Sequence, residues 1–286
     1  MEILKAKAWA PGTCGELVEG AIGESTFLIT CPIDMGSTIE ISQSGEGFPK
    51  EFSKTAKGIE LVASKLGLPL QDLSFTRDSL LPPGKGMASS TADIAAALLA
   101  TARLGGKELT AEELATLSLS IEPSDGIMFE GVVLFDYKEG KWFEELGEAP
   151  PLNILVVDPS GVVDTINFYQ GERFKECNLR KEKRVKIALR LVKEGLREGD
   201  IEKIGRGVTE SALANQELLP KPDLPKVLEW AKEVKALGVN VAHSGTVMGI
   251  LLAEDGFLPE EIMIYLKKKK PEWNYYPTRL INGGLK

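Results

Sequence analysis

From Met1 to about Ser42 apolar and polar positions alternate, with turn residues between the segments. The alternation predicts strands near Ile3–Trp9, Thr13–Glu19, Thr26–Thr30 and Ser37–Ile41. The period then changes. Phe52, Ile59, Leu61, Val62 and Leu66 predict a helix over Glu51–Leu66, and a strand over Leu73–Arg77 follows. Helices over Thr91–Leu104 and Thr110–Leu119 and a strand over Val132–Tyr137 complete the first half. Pro150-Pro151 marks the expected boundary between a domain of residues 1–150 and one of residues 151–286.

Beyond that boundary the pattern predicts a strand over Asn153–Val157 and helices over Lys181–Leu196, Ile201–Leu218 and Pro225–Leu237. Strands over Val239–Ala242 and Val247–Ala253, a helix over Pro259–Lys268 and a strand near Thr278–Ile281 follow. With the three middle helices merged, the order is β-α-β-β-α-β, that of a ferredoxin-like sandwich. The fold class expected is α+β. No internal repeat or low-complexity tract is evident, which removes solenoid architectures.

The chain has 286 residues, 43% of them hydrophobic, enough to bury real cores. Its formal net charge of -8 makes nucleic acid an unsuitable partner, because such binding rests on a basic face that neutralises phosphates. No apolar run is long enough to span a bilayer, and the alternating N-terminus reads as a strand rather than a signal peptide, so the cytoplasm is the expected location. Cys14, Cys31 and Cys177 form no Cys-X-X-Cys pair and leave one unmatched, against both a disulfide framework and a structural zinc site. The run Lys267–Lys270 closes the helix that opens at Pro259-Glu260-Glu261. It is the basic end that the helix dipole favours.

Chemistry concentrates at Pro82-Pro83-Gly84-Lys85-Gly86-Met87-Ala88-Ser89-Ser90-Thr91-Ala92, a glycine-rich loop that runs into an alanine-rich helix. Gly84 and Gly86 allow successive amide N–H groups to turn toward an anion. Ser89 and Ser90 stand where the first helical N–H groups lack partners and the dipole favours negative charge. The spacing fits neither the Walker loop nor the dinucleotide fingerprint. A turn before a capped helix explains Gly-Lys-Gly alone; tandem serines and the small-residue helix favour phosphate.

Two further glycine turns accompany it. Pro11-Gly12-Thr13-Cys14-Gly15-Glu16 is either a β-hairpin or a substrate wall, with Glu16 able to face an ammonium or a hydroxyl and Thr13 able to donate. His243-Ser244-Gly245-Thr246 lies between two adjacent strands, where a hairpin explains Gly245 by itself. Ser244 and Thr246 add donors for phosphate or substrate. His243 is the chain's single histidine, and no Ser/Asp pattern surrounds it. A structural or substrate-contacting role therefore ranks above general base.

Those three segments, in this order and spacing, resemble the signatures of the GHMP kinase family over nearly the whole chain. The resemblance implies a two-domain fold, an N-terminal domain with a left-handed βαβ crossover and a C-terminal ferredoxin-like domain. It implies ATP and Mg²⁺ as cofactors, with Pro83, Gly84, Lys85, Gly86, Met87, Ala88, Ser89, Ser90 and Thr91 on the phosphates. Ser90 is then the hydroxyl closest to Mg²⁺, and Glu122 a candidate carboxylate for the ion. Lys85 and Ser90 are catalytic candidates together with Asp125 of Glu122-Pro123-Ser124-Asp125-Gly126, as base or as substrate anchor. Thr13, Cys14, Gly15, Glu16, Asp125, His243, Ser244, Gly245 and Thr246 form the implied substrate wall. Within the family, Gly-Thr-Cys-Gly-Glu-Leu-Val-Glu-Gly, Gly-Lys-Gly-Met-Ala-Ser-Ser-Thr-Ala-Asp and Glu-Pro-Ser-Asp are most similar to the members that phosphorylate the hydroxyl of L-threonine for cobalamin biosynthesis. Two alternatives stand beside this one: a kinase for homoserine or another small alcohol, and a ligand sensor of the same fold without turnover.

Overall fold

The structure is a computed structural model, and it describes residues 4–45, 48, 52–161 and 171–286. The alternating opening forms two long strands rather than four short ones, β1 (Lys5–Ile22) and β2 (Ser25–Ser42), paired antiparallel along nearly their whole length. The glycines read as separators are absorbed as irregularities. Register shifts fall between Pro11 and Gly12, Thr13 and Glu16, and Glu16 and Val18. A bulge of this kind lets a strand continue while re-aiming its side chains.

Helix α1 (Ser53–Leu66) turns its Ile59, Val62 and Ala63 face into the core; Glu51, where the pattern placed its start, lies outside the described residues. Strand β3 (Ser74–Ser79) pairs with the end of β2 and leads through the glycine loop into α2 (Ser89–Leu104). Helix α2 is buried from Thr91 to Ala102. Its small side chains let it lie close on β1 and β2. Helix α3 (Ala111–Leu119), capped by Thr110, and β4 (Val132–Phe135) follow. The sequence pattern did not reveal β5 (Phe143–Gly147), an edge strand on β4 whose residues are mostly exposed and carry Glu144 and Glu145. Such composition gives no strand signal, and tertiary pairing alone makes the element.

The second half runs β6 (Leu152–Asp158), α4 (Gly171–Glu198), α5 (Ile201–Asn215), α6 (Leu224–Glu233), β7 (Gly238–Val241), β8 (Met248–Ala253), α7 (Pro259–Lys269) and β9 (Asn274–Arg279). Its strands lie in the order β7-β8-β6-β9, all antiparallel, which is the ferredoxin-like arrangement the element order predicts. Helix α4 begins ten residues before the expected Lys181, through a polar first stretch whose buried members are Cys177, Asn178 and Lys181. Strand β9 ends at Arg279 rather than spanning Thr278–Ile281, because Asn274–Arg279 is the stretch in register with β6.

Pro150 and Pro151, the expected boundary, lie between β5 and β6, yet hydrogen-bonded strands continue across the two halves as one nine-stranded sheet. The junction is a single pairing of Glu16 on β1 with Val241 on β7. A Cβ at Gly15, which sits at φ +54°, would lie 2.3 Å from the Val241 carbonyl oxygen, so this approach requires glycine. A larger core fills the space beneath α1, α2 and α4, and a smaller one, around Trp230, Ile250 and Trp273, lies under α6 and α7.

Candidate functional site

The glycine loop between β3 and α2 is held closely by the backbone of its neighbours. Gly84 and Gly86 both sit at positive φ, +72° and +82°, and a Cβ at Gly86 would fall 1.8 Å from the Ser244 carbonyl oxygen. The Lys85 carbonyl accepts from Thr246 N (3.0 Å) and Val247 N (3.2 Å), and the Met87 carbonyl from Thr13 N (3.1 Å). All three glycine turns predicted from sequence therefore meet in one place. Ala88 occupies the cap position of α2 in the left-handed region (φ 55°), a conformation that costs an alanine about 1 kcal/mol. The helix N-terminus is fixed from the far side by Asp93, which receives Ser37 Oγ (2.5 Å) and Arg77 Nε (2.8 Å).

A cleft of about 720 Å³ opens in front of this terminus. Along one wall Ser90 Oγ donates to Glu122 Oε1 at 2.5 Å, and Lys54 pairs with the second Glu122 oxygen. The loop carrying Glu122 is pinned to the end of β4, Ser124 N donating to the Tyr137 carbonyl at 3.2 Å. A hydroxyl and a carboxylate side by side at the mouth of an anion-binding helix terminus form an oxygen donor set suited to Mg²⁺. That ion takes one or two carboxylates and completes its shell with phosphate oxygens and water. Among the described residues no three His, Cys, Asp or Glu side chains gather as an all-protein metal cage.

The opposite end is acidic and buried. The bulged part of β1 turns Thr13 and Glu16 into the cleft, where the Glu16 carboxyl meets that of Asp125. Burial holds Glu16 well above the usual carboxylate range, and the charges of Asp125 and Glu19 and a hydrogen bond to Asp125 push the same way. Asp125 is raised as well, first by burial, although His243 and the Thr91 hydroxyl (3.4 Å) oppose the shift. Two carboxyl groups this close disfavour each other's charged form. Glu16 Oε2 is buried without a hydrogen-bond partner, an acceptor position that a bound donor satisfies.

Behind this pair, Glu19 takes His243 Nδ1 at 2.6 Å. Burial raises the Glu19 pKa, but His243, Lys181 and Lys221 together outweigh it and leave the carboxylate below its ordinary value. Lys221, pushed down to about 8 by burial, reaches the Gly245 carbonyl at 2.5 Å and so steadies the third glycine turn. The ring of Tyr137 stands edge-on to His243, their centroids 4.8 Å apart.

Of the residues singled out from sequence, Thr13, Glu16, Gly84, Gly86, Met87, Ala88, Ser89, Ser90, Thr91, Glu122, Asp125, His243, Ser244 and Gly245 line the cleft. Five do not. Pro83 precedes the loop's turn, and Gly15 serves the β1–β7 approach. Cys14 is fully buried, its thiol on Asn240 Oδ1 (3.7 Å) and its pKa driven far up by burial, then by Glu16, which leaves it inert. Thr246 and Lys85 turn to Asp158 instead, Thr246 Oγ1 at 2.8 Å and Lys85 Nζ at 3.1 Å. Sequence reasoning did not select Leu28, Tyr137, Lys138 or Glu139 as lining residues, nor Glu19 and Asp158 behind the walls. Only Glu19 carried a signal, standing three residues after Glu16 within the first glycine segment.

Comparison with known proteins bears on this geometry. The GHMP kinases N terminal domain is matched over residues 53–129 and the GHMP kinases C terminal over residues 192–261. An L-threonine kinase of Citrobacter freundii is 33% identical over 98% of this chain and 99% of its own length. An L-threonine kinase of Salmonella typhimurium is 32% identical over 98% of this chain and 95% of its own. The crystal structure of homoserine kinase from Cytophaga hutchinsonii superposes with a TM-score of 0.76 at 19% identity, covering 99% of this chain and 97% of that one.

Proposed function

Since the chain belongs to the GHMP kinase family and is an ATP-dependent kinase with an alcohol acceptor, we propose that the alcohol is L-threonine and the product O-phospho-L-threonine. The observation that carries this reading is the pair of buried Glu16 and half-buried Asp125, with its unpartnered acceptor, at the end of the cleft away from the phosphate loop. An α-amino acid brings an ammonium to that end. Its hydroxyl then lies toward the helix terminus that holds the phosphates. The relatives named for the same substrate, matched over nearly the whole chain, support the assignment.

The amides of Gly84–Ala88 and the N-terminus of α2 bind the ATP phosphates and orient the terminal one. Ser90 and Glu122 would hold Mg²⁺, which would supply charge neutralisation on the phosphate oxygens. Glu16 and Asp125 anchor the ammonium. The threonine oxygen attacks the γ-phosphorus in line, the bond from that phosphorus to the bridging oxygen of ADP breaks, ADP departs, and the hydroxyl proton passes to water. A dissociative transition state asks little of a base, so Asp125 serves as anchor without removing that proton. In the cell, decarboxylation of this product yields aminopropanol phosphate, the arm of the nucleotide loop of cobalamin.

The test is ADP release with Mg-ATP against L-threonine, D-threonine, L-serine and L-homoserine, the product identified by mass spectrometry. Selective turnover of L-threonine is expected. Faster turnover of L-homoserine, or none of any amino alcohol, would sink the assignment. Restored cobalamin synthesis in a bacterial strain lacking its threonine kinase checks the cellular role.

A further inference from the structure

Lys85 is the one cation inside the phosphate loop, yet its ammonium points away from the cleft. It lies 3.1 Å from Asp158 Oδ2 and 3.4 Å from Asp158 Oδ1, and it donates to the Gly161 carbonyl at 3.0 Å. Asp158, the last residue of β6, is 0% exposed. Its Oδ1 also accepts Thr246 Oγ1 (2.8 Å) and Ser160 N (3.0 Å). One buried carboxylate thus gathers the end of β6, the turn between β7 and β8 and the phosphate loop. The backbone repeats the connection. Thr246 N and Val247 N both donate to the Lys85 carbonyl, and a Cβ at Gly245 would lie 2.2 Å from the Lys85 carbonyl carbon.

A buried carboxylate with a lysine on it stays where it is. Withdrawing the ammonium to meet a phosphate would leave Asp158 charged and unpaired in the interior, an expensive arrangement. The loop has other means of holding an anion, since Gly84, Gly86 and the first turn of α2 line the cleft and can offer main-chain amides there. From this geometry we propose that Asp158 is a positioning residue for phosphate binding: it keeps Lys85 as a tether that shapes the glycine loop, and the phosphates are bound by main-chain amides. The second half of the chain thereby sets the shape of a binding loop that belongs to the first. The proposal rests on the nucleotide-site reading above.

The test is a double-mutant cycle read by calorimetric binding of a non-hydrolysable ATP analogue with Mg²⁺ to the full chain. If Lys85 is a tether, Asp158→Asn weakens binding about tenfold and Lys85→Met more, because the latter leaves the buried carboxylate unpaired. The pair Lys85→Met/Asp158→Asn then binds several-fold better than Lys85→Met alone and melts at a higher temperature. If Lys85 is instead a phosphate ligand, Asp158→Asn frees the ammonium and binds the analogue as tightly as the parent or more so, and the double variant is no better than Lys85→Met. Either of those results overturns the proposal. Should Lys85→Met not fold, Thr246→Val keeps the ion pair while removing one support of Asp158. The tether then predicts weaker analogue binding with the KM for the alcohol unchanged, and equal binding refutes it. Failure of the nucleotide reading would show in the parent protein, failure of this one only in the variants.

Discussion

At the proposed phosphate end of the cleft the groups proposed to bind are main-chain N–H groups, arranged by Gly84 and Gly86 and by the first turn of α2. At the acidic end they are side chains brought together from β1, the loop before β4 and the turn after β7, with Glu16 and Glu19 buried and Asp125 and His243 half-buried. The first arrangement uses groups that every residue has, so it asks for permissive backbone and little else. The second concentrates charge in a region of low dielectric and destabilises the folded state before any ligand arrives. Binding and stability therefore run together at one end and oppose each other at the other.

The strongest way to sharpen this contrast is at Ser90. Ser90→Ala removes a hydroxyl that touches Glu122 at 2.5 Å and leaves the helix terminus in place. Turnover should drop by about 10²- to 10³-fold while the melting temperature stays within a degree or two, measured by steady-state ADP release and thermal denaturation. A variant with parental turnover would remove Ser90 from the chemistry.

Asp125→Asn probes the acidic end. An anchor predicts a rise in the KM for L-threonine of roughly 30-fold with only a few-fold loss of kcat. Collapse of kcat at constant KM would make Asp125 the base instead.

Glu16→Gln should pull binding and stability in opposite directions. The folded-state pKa of Glu16 is raised, so its contribution to stability is fully present below the ordinary carboxylate range and is lost as pH climbs through the folded value. The glutamine variant carries no such loss. It should match the parent in denaturant midpoint near pH 4, exceed it by about 1 kcal/mol at pH 8, and show a KM for L-threonine about tenfold higher. Equal stability at both pH values would mean that the carboxyl is not strained.

The smallest effect is expected back at the phosphate end. Ala88 lies in the left-handed region at φ 55°, and Ala88→Gly should stabilise the fold by about 0.5–1 kcal/mol with unchanged turnover. Destabilisation would show that the alanine methyl contributes packing that outweighs the backbone strain.

How much of this was legible beforehand differs between the same two ends. The stretch Gly84 to Thr91 was singled out as one unit, and all of it but Lys85 lines the cleft, because its residues are contiguous and their pattern is local: two glycines, two serines and a helix start. The three glycine turns were recognised singly, and the family resemblance set them around one cleft. The partners behind them were not found. Asp158 is an ordinary residue at a strand end, Glu19 a polar position in an alternating strand, and Tyr137 the tail of an apolar run. Apart from the nearness of Glu19 to Glu16, no local pattern marks them, since each acquires its role from a contact with a residue distant in sequence: Asp158 lies 88 residues before Thr246, and Glu19 lies 224 before His243. The edge strand β5 escaped for a related reason, its sequence being polar and its existence due to β4.

What the sequence determined alone was therefore most of the elements, the ferredoxin-like order of the second half and the place of the glycine loop at the start of α2, all of which depend on periodicity and backbone freedom within a few residues. The tertiary structure decided which charges face each other in the interior. It alone paired Glu16 with Asp125 and turned Lys85 from the cleft toward Asp158. The physical reason is range: backbone conformation is set by neighbours in the chain, whereas the energy of a buried charge is set by whatever the fold brings within a few ångströms of it.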